Sequence, residues 1–290
     1  MILQSTHSNG LAGAFHLDPR LGLAVGSIPM VGGHGTAGAF GPVLEEAGVA
    51  GANAVAIASA TFGLVAGCMI GGPLAYRRIH SLNLKSTETA TGSDEVTVDK
   101  NEVTGAIDSR RFLDSALYLA IAIGAGTIVS LFLNKLMTFP SYIGAMVVAA
   151  IIRNVVDATH KDMPMEEIST IGSFSLSLFL GLAMMGLKLW QLAELALPMI
   201  VMLAAQTVLM AIFAYFVVFN LLGKNYDAAV MTSGFCGFGM GATPNAMANM
   251  QAITAKYGPA PTAYFVVPLV GSLFIDFFNA LIITTFMNFL

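Results

Sequence analysis

Gly234-Phe235-Cys236-Gly237-Phe238-Gly239-Met240-Gly241-Ala242-Thr243-Pro244-Asn245 lies between two strongly apolar runs, and the reading of this stretch decides the fold. Its position puts it at membrane depth. Its glycines, its proline and its small polar side chains nevertheless make it a poor continuous helix. A glycine in a helix costs about 1 kcal/mol against alanine, and an interior proline about 3 kcal/mol. Broken backbone in a bilayer leaves amides and carbonyls without partners. It survives only where protein or a water-filled cavity supplies them. The freed backbone is therefore expected to hold something. A second stretch of the same kind, Gly32-Gly33-His34-Gly35-Thr36-Ala37-Gly38-Ala39, stands near the start. The rest of the sequence reads as scaffold around the two breaks.

Composition sets the solvent. The chain is 56% hydrophobic and 10% charged, with a mean hydropathy of +0.76, whereas soluble domains are about 25% charged. This excludes a soluble globular protein. A formal net charge of -4 and the lack of a nucleic-acid-binding basic run exclude a nucleic-acid partner. Cys68 and Cys236 both fall in apolar segments and are expected to be buried, inert thiols rather than a disulfide. Residues 1–16 have no basic start leading into an apolar core, so they do not form a signal peptide. They read as polar and irregular.

A crossing helix needs about 20 apolar residues. Residues 52–76, 112–134, 141–156, 169–187, 193–222 and 262–289 meet or approach that length, giving about six crossings. Segments 17–46 and 227–250 hold the breaks, and their apolar arms are too short to cross. Each is expected to be a re-entrant hairpin that enters and leaves on one face. Residues 85–111 are hydrophilic and form a linker. Arg77, Arg78, Arg110 and Arg111 flank that linker, which places it in the cytoplasm by the positive-inside rule. Lys188 and Trp190 suit an interface belt. Counting crossings from the linker, the two hairpins enter from opposite faces, as an inverted repeat requires. The expected organisation is the end of a first repeat at 17–84, the linker at 85–111, and a second repeat at 112–290. The fold class is an all-α integral membrane protein, an inverted-repeat secondary transporter.

Further motifs carry a resemblance. Gly-Gly-His-Gly-Thr at 32–36, Ala-Thr-Phe-Gly-Leu-Val at 60–65, Ile-Gly-Gly-Pro at 70–73 and Met-Gly-Leu-Lys-Leu-Trp at 185–190 belong to it. So do Gly-Lys-Asn-Tyr-Asp-Ala-Ala-Val at 223–230, the run from Cys236 to Met250, and Phe274-Ile275-Asp276. With these the chain resembles the sodium/glutamate symporter family over nearly everything after Leu17 except the linker. The resemblance implies two inverted halves of about five crossings each and a homodimer in the bacterial cytoplasmic (inner) membrane. It also implies multi-pass symport of L-glutamate coupled to Na+, with no other cofactor and no enzymatic activity. The crossings that precede the first hairpin in that family are not found, so the chain is expected to be shortened at its N-terminus.

Glutamate is a dianion with one ammonium, and Na+ is a hard cation that takes oxygen ligands. Helix N-termini point N–H groups at carboxylates, while unwound carbonyls and hydroxyls suit sodium. Thr243 is placed as an N-cap with Pro244 at the first helical position, so this helix start faces the break. The expected substrate contacts are Gly239, Gly241, Thr243, Asn245 and Asn249 on one side, and Gly33, His34, Gly35 and Thr36 on the other. His34 has an alternative role as a backbone hydrogen-bonding group. Asp276, with Asn279 one turn on and on the same face, is the expected Na+ site, because an intramembrane carboxylate is costly to keep. Ser27, Ser59, Thr61, Gln206 and Ser233 are expected to knit helices together, and Glu45, Glu46, Glu166 and Glu167 to be solvated. Two rival readings are an ion channel with a carbonyl-lined re-entrant filter and an inactive transporter fragment. A dinucleotide fingerprint around 237–242 is excluded, because no strand precedes it.

Overall fold

The computed structural model describes residues 1–86, 109–135, 142–159, 162–185 and 189–290. The linker expected at 85–111 and residue Lys188 therefore fall largely outside the described residues. In chain order the helices begin with α1 (Ile2–Ala14), α2 (Leu21–Val25), α3 (Ser27–Glu46), α4 (Ala52–Ser81) and α5 (Ser109–Leu133). There follow α6 (Tyr142–Ala158), α7 (Met165–Met185), α8 (Leu189–Glu194) and α9 (Ala196–Leu221), the last containing a π turn at Ala214–Val218. The chain continues with α10 (Tyr226–Gly239), α11 (Thr243–Tyr257), α12 (Pro261–Val270), a π turn (Gly271–Ile275) and α13 (Asp276–Phe289). No strand occurs among the described residues.

Among the described residues three helices are long and apolar enough to cross a membrane: Ala52–Ser81, Ser109–Leu133 and Ala196–Leu221, with mean hydropathies of 1.9, 2.2 and 2.2. Pro261–Val270 and Phe277–Phe289 are shorter apolar pieces joined through a π turn. An all-helical chain follows from the solvent, since a helix satisfies its backbone groups within one segment.

The chain forms two compact units, Met1–Val96 with Lys188–Leu290, and Thr97–Leu187. In the second unit, α5 and α6 approach closely where Gly126 faces Ala145 and Gly144 faces Ser130. The Gly144 amide donates to Ser130 Oγ at 3.2 Å. Arg111 ties this unit's polar end by bonding Asp162 at 2.9 Å and Glu167 at 3.0 Å.

The first unit holds both breaks. α10 and α11 fold back on each other: Gly237 lies against the backbone of Asn245 and Ala246, Gly234 against Met250, and Ser233 Oγ donates to Asn249 O at 3.4 Å. α3 keeps alongside α4 on both sides of its own break, with Met30 against Gly63 before it, and His34 against Thr61 and Gly41 against Asn53 after it. Under the pair, Tyr226, Ala229, Val230, Met250 and Ile253 pack with Ala75, Ile79 and Phe219 into one apolar core.

Residues 1–16 are not irregular. Ile2–Ala14 form α1, which buries the polar side chains Gln4, Ser5, Ser8 and Asn9 together with Ala12, while Ile2 and Leu3 are exposed. In a membrane protein a polar stripe faces the interior and lipid takes the apolar side, so a polar segment can still be a packed helix. Cys236 is buried but Cys68 is exposed, so only one thiol follows the expectation.

Candidate functional site

At Gly33 the helix α3 is interrupted by φ 57°, ψ -151°. A Cβ placed there would stand 3.0 Å from Gly241 O and 4.0 Å from Ala242 Cβ. The two breaks, far apart in sequence, meet in the fold. Each gap supplies what the other lacks: a buried backbone without side chains on one side and an unwound turn on the other.

On the α3 side, His34 follows the break and its Nε2 lies 3.0 Å from Thr61 Oγ1 on α4. Thr61 Oγ1 also donates to Ile57 O at 3.2 Å, which leaves it to accept from His34. Thr36 folds its side chain back over Gly32, and Gly35 faces open space. On the other side, residues 240–242 separate α10 from α11. The N-cap of α11 is Ala242, in extended conformation, with no side-chain capping bond. Thr243 is thus the first helical residue and Pro244 the second, one position later than the capping pattern predicts. The end of α11 still faces the break, but a backbone position opens it rather than a hydroxyl.

The asparagines reach sideways. Asn245 Nδ2 donates to Leu64 O at 2.8 Å, and Asn249 Nδ2 donates to Gly67 O at 3.0 Å and Ser233 O at 3.1 Å. Both therefore fasten α11 to α4. The approach is close because Gly63, Gly67 and Gly71 line that face of α4, where Cβ atoms would meet Met240 O, Cys236 O and Asn249 Nδ2.

Gly239 is held from elsewhere. Gln4 Nε2 donates to Gly239 O at 2.8 Å, and Gln206 Nε2 donates to Gln4 O at 2.8 Å. Next to Gln4, Ser5 Oγ and Ser27 Oγ are 2.7 Å apart, and Asn279 Nδ2 donates to Ser27 O at 3.1 Å. Asn279 is 2% exposed, yet among the described residues its Oδ1 has no hydrogen-bond partner, and neither has Gln206 Oε1. The carbonyl acceptors fix which end of each amide is nitrogen, so both free atoms are buried oxygens. The side chain of Asp276 lies outside the described residues; its backbone opens α13 directly after the π turn. Among the described residues no group of three or more His, Cys, Asp or Glu could hold a metal ion.

The structure thus joins Gly33 and His34 to Gly241, Asn245 and Asn249 through α4, and sets Asn279 with Ser27. Gln4 and Ser5 were missed by the sequence reading. Their signal is the polar spacing Gln4, Ser5, Ser8, Asn9, which repeats at helical period.

A family model described as Sodium/glutamate symporter matches residues 1–259, a range that includes α1. The chain is 42% identical over 294 residues to the sodium/glutamate symporter of Escherichia coli (strain K12), covering 99% of this chain and 72% of that protein. The sodium/glutamate symporter of Haemophilus influenzae is 36% identical over 275 residues, covering 92% and 67%. No solved structure matches the chain.

Proposed function

This chain belongs to the sodium/glutamate symporter family, and we propose that it carries L-glutamate across the bacterial inner membrane by symport with Na+, as a multi-pass transporter and not as an enzyme. The observation that carries the site is the packing of Gly33 against Gly241, so close that an added Cβ would stand 3.0 Å from Gly241 O, where the two breaks meet. Glutamate binds across this crossing. Its carboxylates face the N-terminal end of α11 around Thr243 and Asn245, with Gly35, Thr36 and His34 on the opposite wall. Gly239 and Asn249 frame the crossing. Na+ is taken by oxygens around Asn279 and Asp276, supported by the unpartnered, buried Asn279 Oδ1. α10 and α11 enter and leave by one membrane face as a re-entrant hairpin, the break in α3 is its counterpart in an inverted repeat, and the transporter is a homodimer. The channel reading has less support, because a filter needs a symmetric ring about one axis.

Uptake of labelled glutamate into vesicles holding the full chain tests this reading. Uptake that saturates, requires external Na+ and is not replaced by K+ or choline is the expected result. Sodium-independent flux, or unitary currents without saturation, would sink it.

A further inference from the structure

At the end of α4, the Tyr76 and His80 rings lie with centroids 4.2 Å apart, tilted by 41°, and Tyr257 at the end of α11 closes the group at 6.4 Å and 5.9 Å. His80 Nε2 lies 3.2 Å from Tyr257 Oη. Lys256 Nζ sits over two of these rings, 5.5 Å from Tyr76 and 5.3 Å from Tyr257. Beside them Arg77 Cζ lies 5.8 Å from the Tyr215 ring. Arg78 is committed elsewhere: it stacks on Tyr215 and Phe219 and donates to Tyr215 O in the π turn of α9. Arg77 and Lys256 are exposed, and among the described residues neither forms an ion pair with a carboxylate. The aromatic faces hold the cationic heads themselves, at the exposed ends of α4 and α11.

We propose that Arg77, Lys256 and His80 bind the phosphate of an anionic phospholipid headgroup, with Tyr76 and Tyr257 seated at the glycerol level. The occupant is a lipid rather than free phosphate because Tyr76 within the cluster is 47% exposed and Leu82, directly after the end of α4, is 48% exposed. Along these an acyl chain can lie. The plainer role for these cations is to complement the negative ends of α4 and α11, and that role gives no lipid selectivity.

The test is native mass spectrometry of the full chain released from nanodiscs of equimolar phosphatidylcholine and phosphatidylglycerol. The wild type retains phosphatidylglycerol preferentially. A juxtamembrane basic residue is worth about 1 kcal/mol toward an anionic surface, so Arg77→Gln and Lys256→Gln each lower the retention ratio about fivefold. Lys224→Gln, which removes a charge outside the cluster, leaves the ratio unchanged. Circular dichroism and elution volume check that the variants fold, and the charge reversal Lys256→Glu provides a second, stronger reading. An unchanged ratio in the folded variants, an equal drop with Lys224→Gln, or equal thermal stabilisation of wild type by inorganic phosphate would each overturn the proposal.

Discussion

Gly33 adopts a positive φ while buried against Gly241 O, so two costs fall on any side chain there. The left-handed backbone costs roughly 1–2 kcal/mol for an L-residue, and the new methyl pushes the crossing apart. Gly33→Ala is expected to lower the melting temperature and to reduce sodium-driven uptake about tenfold, since each 1.4 kcal/mol is a factor of ten. Gly35→Ala is the stability control, because a Cβ at Gly35 meets nothing within 4 Å; an equal loss of melting temperature would show that the crossing is not the sensitive point. Asn249→Ala removes a buried donor from the carbonyls of Gly67 and Ser233. The expected cost is about 1–3 kcal/mol, measured by denaturation in detergent. The sequence marked Asn249 by its position after the break. It could not show that the amide points at α4, because the direction of a side chain depends on which helix packs beside it.

Among the elements, α4 governs how closely the folded-back pair α10–α11 can sit. Gly67→Val would drive a branched side chain into Cys236 O, 3.0 Å from the Cβ position. Overpacking of this kind costs about 1–3 kcal/mol. Gly72→Val, on an open face of the same helix, should leave stability near wild type; similar losses in both would show that helix propensity, not the approach of α10, sets the effect. The turn between α1 and α2 carries its own clamp. Asp18 Oδ2 lies 2.6 Å from Arg20 Nη2, and Arg20 Nη1 donates to Ala47 O at 3.1 Å beyond the end of α3. The Arg20 hydrogen bond holds the Asp18 carboxyl below its usual range, with burial opposing. The folded-state value is depressed, so this stabilisation is present above the ordinary carboxylate pKa of about 3.9 and is lost as pH falls through the lowered value. With Asp18 and Arg20 each about a third exposed, the clamp is worth up to about 1 kcal/mol. Asp18→Asn should remove that acid-dependent part, seen as a flatter stability curve at low pH.

For the whole molecule, Na+ binding to the folded state alone must raise stability. The increment is about 2.7 kcal/mol when Na+ is at a hundred times its dissociation constant. The melting temperature is therefore expected to rise with NaCl and not with KCl, and Asn279→Ala should blunt the rise while Gly72→Val keeps it. An equal response to both salts in wild type would remove the support for a sodium site at Asn279. Much of the architecture was legible beforehand. A mean hydropathy of +0.76 left only a helical membrane protein, and both glycine-rich interruptions stood out against apolar flanks, because broken backbone is intolerable in lipid without a purpose. The second interruption was placed closely, with α10 and α11 flanking residues 240–242. Residues 1–16 were misread because their polar stripe has the helical period but the opposite sense, and inward polarity is invisible until a partner helix is known. Sequence by itself determined the solvent, the helical class and the two places where the backbone breaks, all of which follow from local chemistry along one chain. Only the tertiary structure decided that Gly33 meets Gly241, that Asn245 and Asn249 reach the carbonyls of α4, and that Gln4 reaches Gly239, since contacts between distant segments depend on how helices pack and not on the period within any one of them.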